Sequence, residues 1–171
     1  MSDRIRIDLK AGVADVRLSR PEKMNALDPA MFEALTEAGA HLAQEPGVRA
    51  VVLTGEGRGF CAGLDMASFA AMSDDGPRPA NKKKEESGGR TGNLLDAAND
   101  SPGTVAQNAA WTWRALPVPV IAGIHGVAYG GGLQIALAAD MRIVAPDARL
   151  SVMEIKWGLV PDMTGTQTLR H

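Results

Sequence analysis

Three consecutive glycines, Gly130 to Gly132, stand directly in front of an apolar segment of helical character in "HGVAYGGGLQIALAAD", residues 125–140. Glycine is costly to order, by roughly 0.5 to 1 kcal/mol relative to alanine inside an element, so a run of three at a helix start requires a geometric reason. Tight packing of a helix against a strand needs one glycine. Three point to close approach of something to the backbone, because such a turn exposes N–H groups at the positive end of a helix dipole. An anion or a developing negative charge is stabilised there.

A second turn of this kind, "GEGRGFCAGLDM" at residues 55–66, follows the β-branched run "VRAVVLT". Two strand ends that each carry exposed amides can converge on one oxygen. Neither turn is a dinucleotide fingerprint, since Phe60 stands where the last glycine after Gly55 and Gly57 would be required, and no Gly-Lys-Ser/Thr ending marks a phosphate loop. "GFCAG", residues 59–63, matches the cysteine form of a hydrolase nucleophile elbow. That elbow should follow its strand directly, yet "GEGR" intervenes, and only His125 and His171 lie downstream as partners. A small buried thiol is the simpler reading of Cys61.

The rest of the chain supplies a framework for these turns. "IRIDL" and "VADVRLS" alternate with period two around Ala11-Gly12 and predict a hairpin. "DPAMFEALTEAGAHLAQE" predicts an amphipathic helix, with Asp28 as N-cap, Pro29 at the first helical position and an apolar stripe of Met31, Leu35, Ala38 and Leu42. "VRAVVLT", "VPVIAGIHG" and "MRIVA" are nearly continuous apolar runs, the pattern of strands covered on both faces, and "TVAQNAAWTWRAL" is a helix between the first two. Strand and crossover helix in alternation predict an α/β sheet layered with helices. Residues 73–103 change character, being rich in Gly, Pro, Ser, Asn and charge, and predict a mobile surface insertion. Its "KKK" at 82–84 reads as a solvated charge run. "TGTQTLRH" opens a further helix at the end of the sequence.

Composition bounds the partners. The 171 residues suit one domain with a substantial core. With 18 basic and 20 acidic side chains, nothing suggests nucleic acid or an anionic membrane as partner. A single cysteine fits a reducing compartment, "MSDRIRIDLK" lacks the apolar core of a signal peptide, and no run approaches the ~20 apolar residues of a membrane span. A cytoplasmic protein is the expectation.

Together "LSRPEKMNALD", "GRGFCAGLDM" and the long stretch from "IAGIHGVAYGGGLQ" to "SVMEIKWGLVPDMTGTQTL" resemble the crotonase superfamily, best known for enoyl-CoA hydratases and isomerases. The likeness covers nearly the whole chain, with its motifs in order. It implies an α/β fold of repeated ββα units that binds an acyl-coenzyme A thioester, the thioester oxygen lying between the backbone amides of Leu64 and Gly131. On this reading side chains next to Gly131 would obstruct the thioester. An enolate formed there needs a proton shuttle, and Glu154 in "SVMEIKWG" occupies the position of the shared acid/base glutamate.

The resemblance has two departures. Gln134 stands where the hydratases carry a second glutamate, and a neutral amide can orient water or substrate without exchanging protons. Asp162 matches the position of an acidic residue in some dienoyl-CoA isomerases, so it pairs with Glu154 or serves as a cap or turn residue after Pro161. Coenzyme contacts are implied at Met24, Ala26, Ala62, Leu64, Asp65 and Met66, with Lys23 as a phosphate partner. No metal and no cofactor beyond the coenzyme A of the substrate are implied. Family chains continue into C-terminal helices that close the pocket and carry trimer contacts. This part is expected to be lacking here, with a homotrimer or hexamer expected of a longer form. The resemblance thus implies an enoyl-CoA isomerase or hydratase. A non-catalytic acyl-CoA-binding or RNA-binding relative, and a Cys61-dependent hydrolase, are the alternatives.

Overall fold

A computed structural model of the chain describes residues 3–67 and 101–170. Most of the insertion expected at 73–103, including the lysine run, lies outside the described residues. Strands β1 (Ile5–Lys10) and β2 (Val13–Leu18) form the predicted hairpin, and its two-residue turn has both Ala11 and Gly12 at positive φ, 51° and 81°. That is the twist which matches right-handed strands. Helix α1 (Pro29–Gln44) starts where predicted, the Asp28 carboxylate accepting from Met31 N at 2.8 Å, and buries the expected stripe. Helix α2 (Val105–Arg114) opens on a reciprocal cap between Thr104 and Gln107.

Strands β3 (Ala50–Gly55), β4 (Val120–Ile124) and β6 (Met141–Val144) join the hairpin in one sheet of order β1-β2-β3-β4-β6. All pairings after the hairpin are parallel. The register aligns Ala14, Val51 and Val120, then Val16, Leu53 and Ala122, and these join Met31, Leu35, Ala109 and Trp113 in a single apolar cluster. Burial alternates along β3 and β4, with Val52 and Ile121 only half-buried. This corrects the expectation of strands covered on both faces. The correction is larger for β6, which pairs only with β4 at the sheet edge and has every residue exposed. Its apolar run reflects a face that no described element covers.

A second, smaller layer is built from the segment that follows each main strand. Strands β5 (Val127–Tyr129) and β7 (Arg149–Ser151) pair in parallel, Cys61 forms a bridge with Ala128, and Leu27 forms one with Leu64. After each second-layer segment in the described chain a helix begins: α1 after Leu27, α3 (Gly131–Ala138) after β5, and the short α4 (Gly165–Thr168) beyond β7 and a 3-10 turn at Met153–Trp157. This is the repeated ββα pattern, one unit after another. No helix of the described residues is long and apolar enough to cross a membrane.

Candidate active site

Successive units place their second-layer ends side by side, and that is what assembles the site. Ala62 N donates to Met24 O (2.9 Å), Leu27 N to Gly63 O (2.8 Å) and Asp65 N to Leu27 O (3.0 Å), so the two stretches expected to line the coenzyme run against each other. Tyr129 N donates to Cys61 O (3.0 Å), which brings the glycine turn alongside. Gly63, at φ 86°, shows how close the approach is: a Cβ there would sit 2.6 Å from Tyr129 O and 3.7 Å from Gly131 N. Among the described residues, no carbonyl or side chain pairs with the N–H of Leu64 or of Gly131. Two amides from neighbouring turns are thus left with their donor capacity unused, at a helix start in the case of Gly131.

The three glycines each answer to a different neighbour. Gly130 takes φ 50° and ψ −121°, a conformation side chains disfavour, and a Cβ there would lie 3.3 Å from Glu154 Oε1. A Cβ on Gly131 would meet Leu27 Cδ1 at 2.8 Å and Met163 Sδ at 3.0 Å; one on Gly132 would meet Cys61 O at 2.5 Å. The protein's own atoms therefore occupy the space beside these positions. Where the sequence suggested that neighbouring side chains would obstruct a thioester, the structure shows that they would first collide with Glu154 and Cys61.

Glu154 arrives by the same strand logic. β5 and β7 are parallel, with Tyr129 opposite Ser151 and Gly130 N donating to Ser151 O at 2.9 Å, so the glycine turn and the 3-10 turn carrying Glu154 leave the ladder at the same end. Gln134, one turn into α3 and 3% exposed, donates from Nε2 to Glu154 Oε1 at 2.7 Å. Its own Oε1 accepts from Gly165 N at 3.0 Å. Glu154 Oε2 is buried without a hydrogen-bond partner among the described residues.

The remaining expected residues sort by exposure. Met24, Ala62 and Leu64 are half-buried along the contact of the two coenzyme-lining stretches, Ala26 and Asp65 are buried there, and Lys23 and Met66 are exposed at its edge. Asp162 is exposed in the turn after Pro161 and makes no hydrogen bond to Glu154; Thr164, not Asp162, takes the N-cap position of α4.

Two residues that shape the site were missed from sequence. Asn25, fully buried at φ 55°, accepts from Arg20 N and donates from Nδ2 toward the carbonyls of Glu56, Gly59 and Phe60, which fixes the turn leading to Cys61. Arg20 bonds Asp65 at 2.7 Å and lies 3.5 Å from Asp28, tying the residue after Leu64 to the start of α1. The signal was present in "RPEKMNALD", where a lone Asn among apolar neighbours in a turn favours the left-handed conformation.

Cys61 is fully buried, its Sγ donates to Asn25 O at 3.1 Å, and burial pushes the thiol up to about 12. A nucleophile needs the thiolate, so this group is not poised for attack near neutral pH. Cys61→Ala is expected to leave turnover within a few fold, and the native thiol to resist iodoacetamide at pH 8 until the protein is unfolded. Rapid stoichiometric labelling of the folded protein, or loss of turnover on the scale of a deleted nucleophile, would revive the hydrolase alternative.

The two-layer ββα repeat is the architecture of the crotonase fold. The profile of the enoyl-CoA hydratase/isomerase family matches residues 8–171, and the chain belongs to that family. It is 34% identical over 166 residues to (E)-benzylidenesuccinyl-CoA hydratase of Thauera aromatica, covering 96% of this chain and 56% of that protein. It is 38% identical over 162 residues to a Rhodobacter capsulatus protein named "Probable enoyl-CoA hydratase", covering 95% and 54%. The crystal structure of an enoyl-CoA hydratase from Bacillus anthracis superimposes with a TM-score of 0.77 at 30% identity, covering 97% of this chain and 57% of that one. The chain spans about half the length of the curated relatives it matches.

Proposed function

We propose that this chain carries the reaction centre of an acyl-CoA enzyme that forms a thioester enolate and moves one proton with Glu154. The carrying observation is that, among the described residues, the N–H groups of Leu64 and Gly131 have no acceptor while Glu154, on the turn packed beside Gly130, has a buried Oε2 without a hydrogen-bond partner. In this reading the amides hold the thioester oxygen as negative charge develops on it, each donor being worth about 2.7 to 4 kcal/mol in such a site. Oε2 takes the proton from one carbon and returns it to another. The stretches around Met24, Ala26, Ala62, Asp65 and Met66 line the coenzyme, with Lys23 at the phosphates. No group beyond the substrate's coenzyme A takes part. A longer form assembles as a homotrimer or hexamer, a reading supported by the exposed apolar side chains of Ile143, Ile155, Leu159 and Val160. Its lone cysteine accords with a cytoplasmic location.

Isomerisation of an enoyl-CoA double bond fits these residues better than hydration. Hydration needs water deprotonated while carbon is protonated, tasks that two carboxylates divide, whereas isomerisation needs one shuttle. Gln134 cannot exchange protons, and Asp162 lies exposed. The full-length protein is expected to shift the double bond of a 3-enoyl-CoA faster than it hydrates the 2-enoyl product, and Gln134→Glu to raise hydration relative to isomerisation. Efficient hydration without isomerase activity in the unaltered protein would reverse this ordering.

A further inference from the structure

We infer that Gln134 is a positioning residue for Glu154, and that the backbone N–H of Gly165 sets the direction in which it works. This deepens the reaction proposed above and rests on it. The two ends of a side-chain amide are ordinarily assigned rather than observed, but here one neighbour decides. A backbone N–H can only donate, so the Gly165 contact at 3.0 Å requires the amide oxygen. The amide nitrogen must then face Glu154 Oε1, 2.7 Å away, and a carboxylate can accept that bond.

Three consequences follow for the carboxylate. One oxygen is engaged by a neutral donor, which ties the side chain to a single orientation beside Gly130. The other, Oε2, has no hydrogen-bond partner among the described residues and, on the reaction proposed above, takes the substrate proton. A second carboxylate in place of Gln134 would put two acidic groups at hydrogen-bond distance, whereas the amide offers Glu154 a neutral donor. Gln134 thus orients the shuttle itself, not water or substrate.

Gly165 is the handle by which this is tested. A Cβ at 165 would lie 2.7 Å from Gln134 Oε1 and 3.0 Å from Pro161 Cβ, so Gly165→Ala crowds the amide first and the Pro161 ring second. The part of its effect on turnover that passes through Gln134 should vanish once Gln134 is itself replaced.

The experiment is a double-mutant cycle on the full-length protein with a 3-enoyl-CoA, using Gly165→Ala, Gln134→Met and the pair, with Glu154→Gln alongside and unfolding measured for each. Gly165→Ala and Gln134→Met are each expected to lower kcat by about tenfold, the scale of losing a hydrogen bond to a charged group, with KM within twofold. The pair should fall no further than either alone, because both remove one interaction. Should Gln134→Met fail to fold, Gln134→Leu replaces it, since it also removes the donor and adds no charge. Losses that multiply in the pair, a change confined to KM, or full activity in both single variants would overturn the positioning role. An active Glu154→Gln would instead overturn the reaction on which it rests.

Discussion

Replacing Glu154 by glutamine should reduce turnover of a 3-enoyl-CoA by about 10²- to 10⁴-fold, the range that a positioned acid/base contributes. The substitution is unusually clean here. The new amide can still accept from Gln134 Nε2 through its own oxygen, so the 2.7 Å contact and the packing beside Gly130 have no reason to change. Only the capacity of the Oε2 position to take up and release a proton is lost. Substrate affinity, measured by isothermal titration with a non-reacting acyl-CoA, should stay within a few fold. Turnover within a few fold of the unaltered protein would remove Glu154 from the proton path, whatever the affinity did.

The proposed oxyanion role of the Gly131 N–H can be tested with comparable force because Gly131 is the first residue of α3. Proline is tolerated at that helical position, where its missing N–H would have had no helical partner. Gly131→Pro deletes the one donor in question and puts its ring Cδ where the N–H pointed. It also adds a Cβ against Leu27 Cδ1 and Met163 Sδ, which are the far ends of movable side chains. Gly131→Ala adds the same Cβ and keeps the N–H, so it serves as the control. We expect kcat to fall by about 10²- to 10³-fold in the proline variant, the cost of one oxyanion donor, and by less than about tenfold in the alanine variant. Equal losses in the two would mean that packing at Leu27 and Met163 explains the effect and that the amide faces no oxygen.

The elements that sequence made legible are those whose signal is local. Ala11-Gly12 announces its own turn, Asp28-Pro29 its own helix start, and Gly130 to Gly132 a backbone that something approaches. What was not legible depends on neighbours far along the chain. β5 and β7, three residues each, are too short for any periodicity, and they exist because Ala128 finds Cys61 and Leu150 on either side. The apolar run of β6 was read as doubly covered because composition cannot reveal that a strand will lie at a sheet edge. Within the site, the structure places the turn of Leu64 beside that of Gly131, and Glu154 beside Gly130. The direction of the Gln134 amide could not be read in advance, since it is decided by a backbone N–H thirty-one residues away.

The tether from Arg20 to Asp65 has a mechanical meaning. The turn that carries the Leu64 N–H would drift if the residue after it could swing. Asp65 is clamped on the framework side by Arg20 at 2.7 Å, its N–H is held by Leu27 O, and its Oδ1 accepts from Ala67 N at 2.9 Å. On the return side, the Thr104 and Gln107 cap locks the start of α2. Both anchor points behave like strain relief on a cable. A pull on the chain beyond Ala67 or before Thr104 is taken up by these bonds before it reaches the Leu64 N–H.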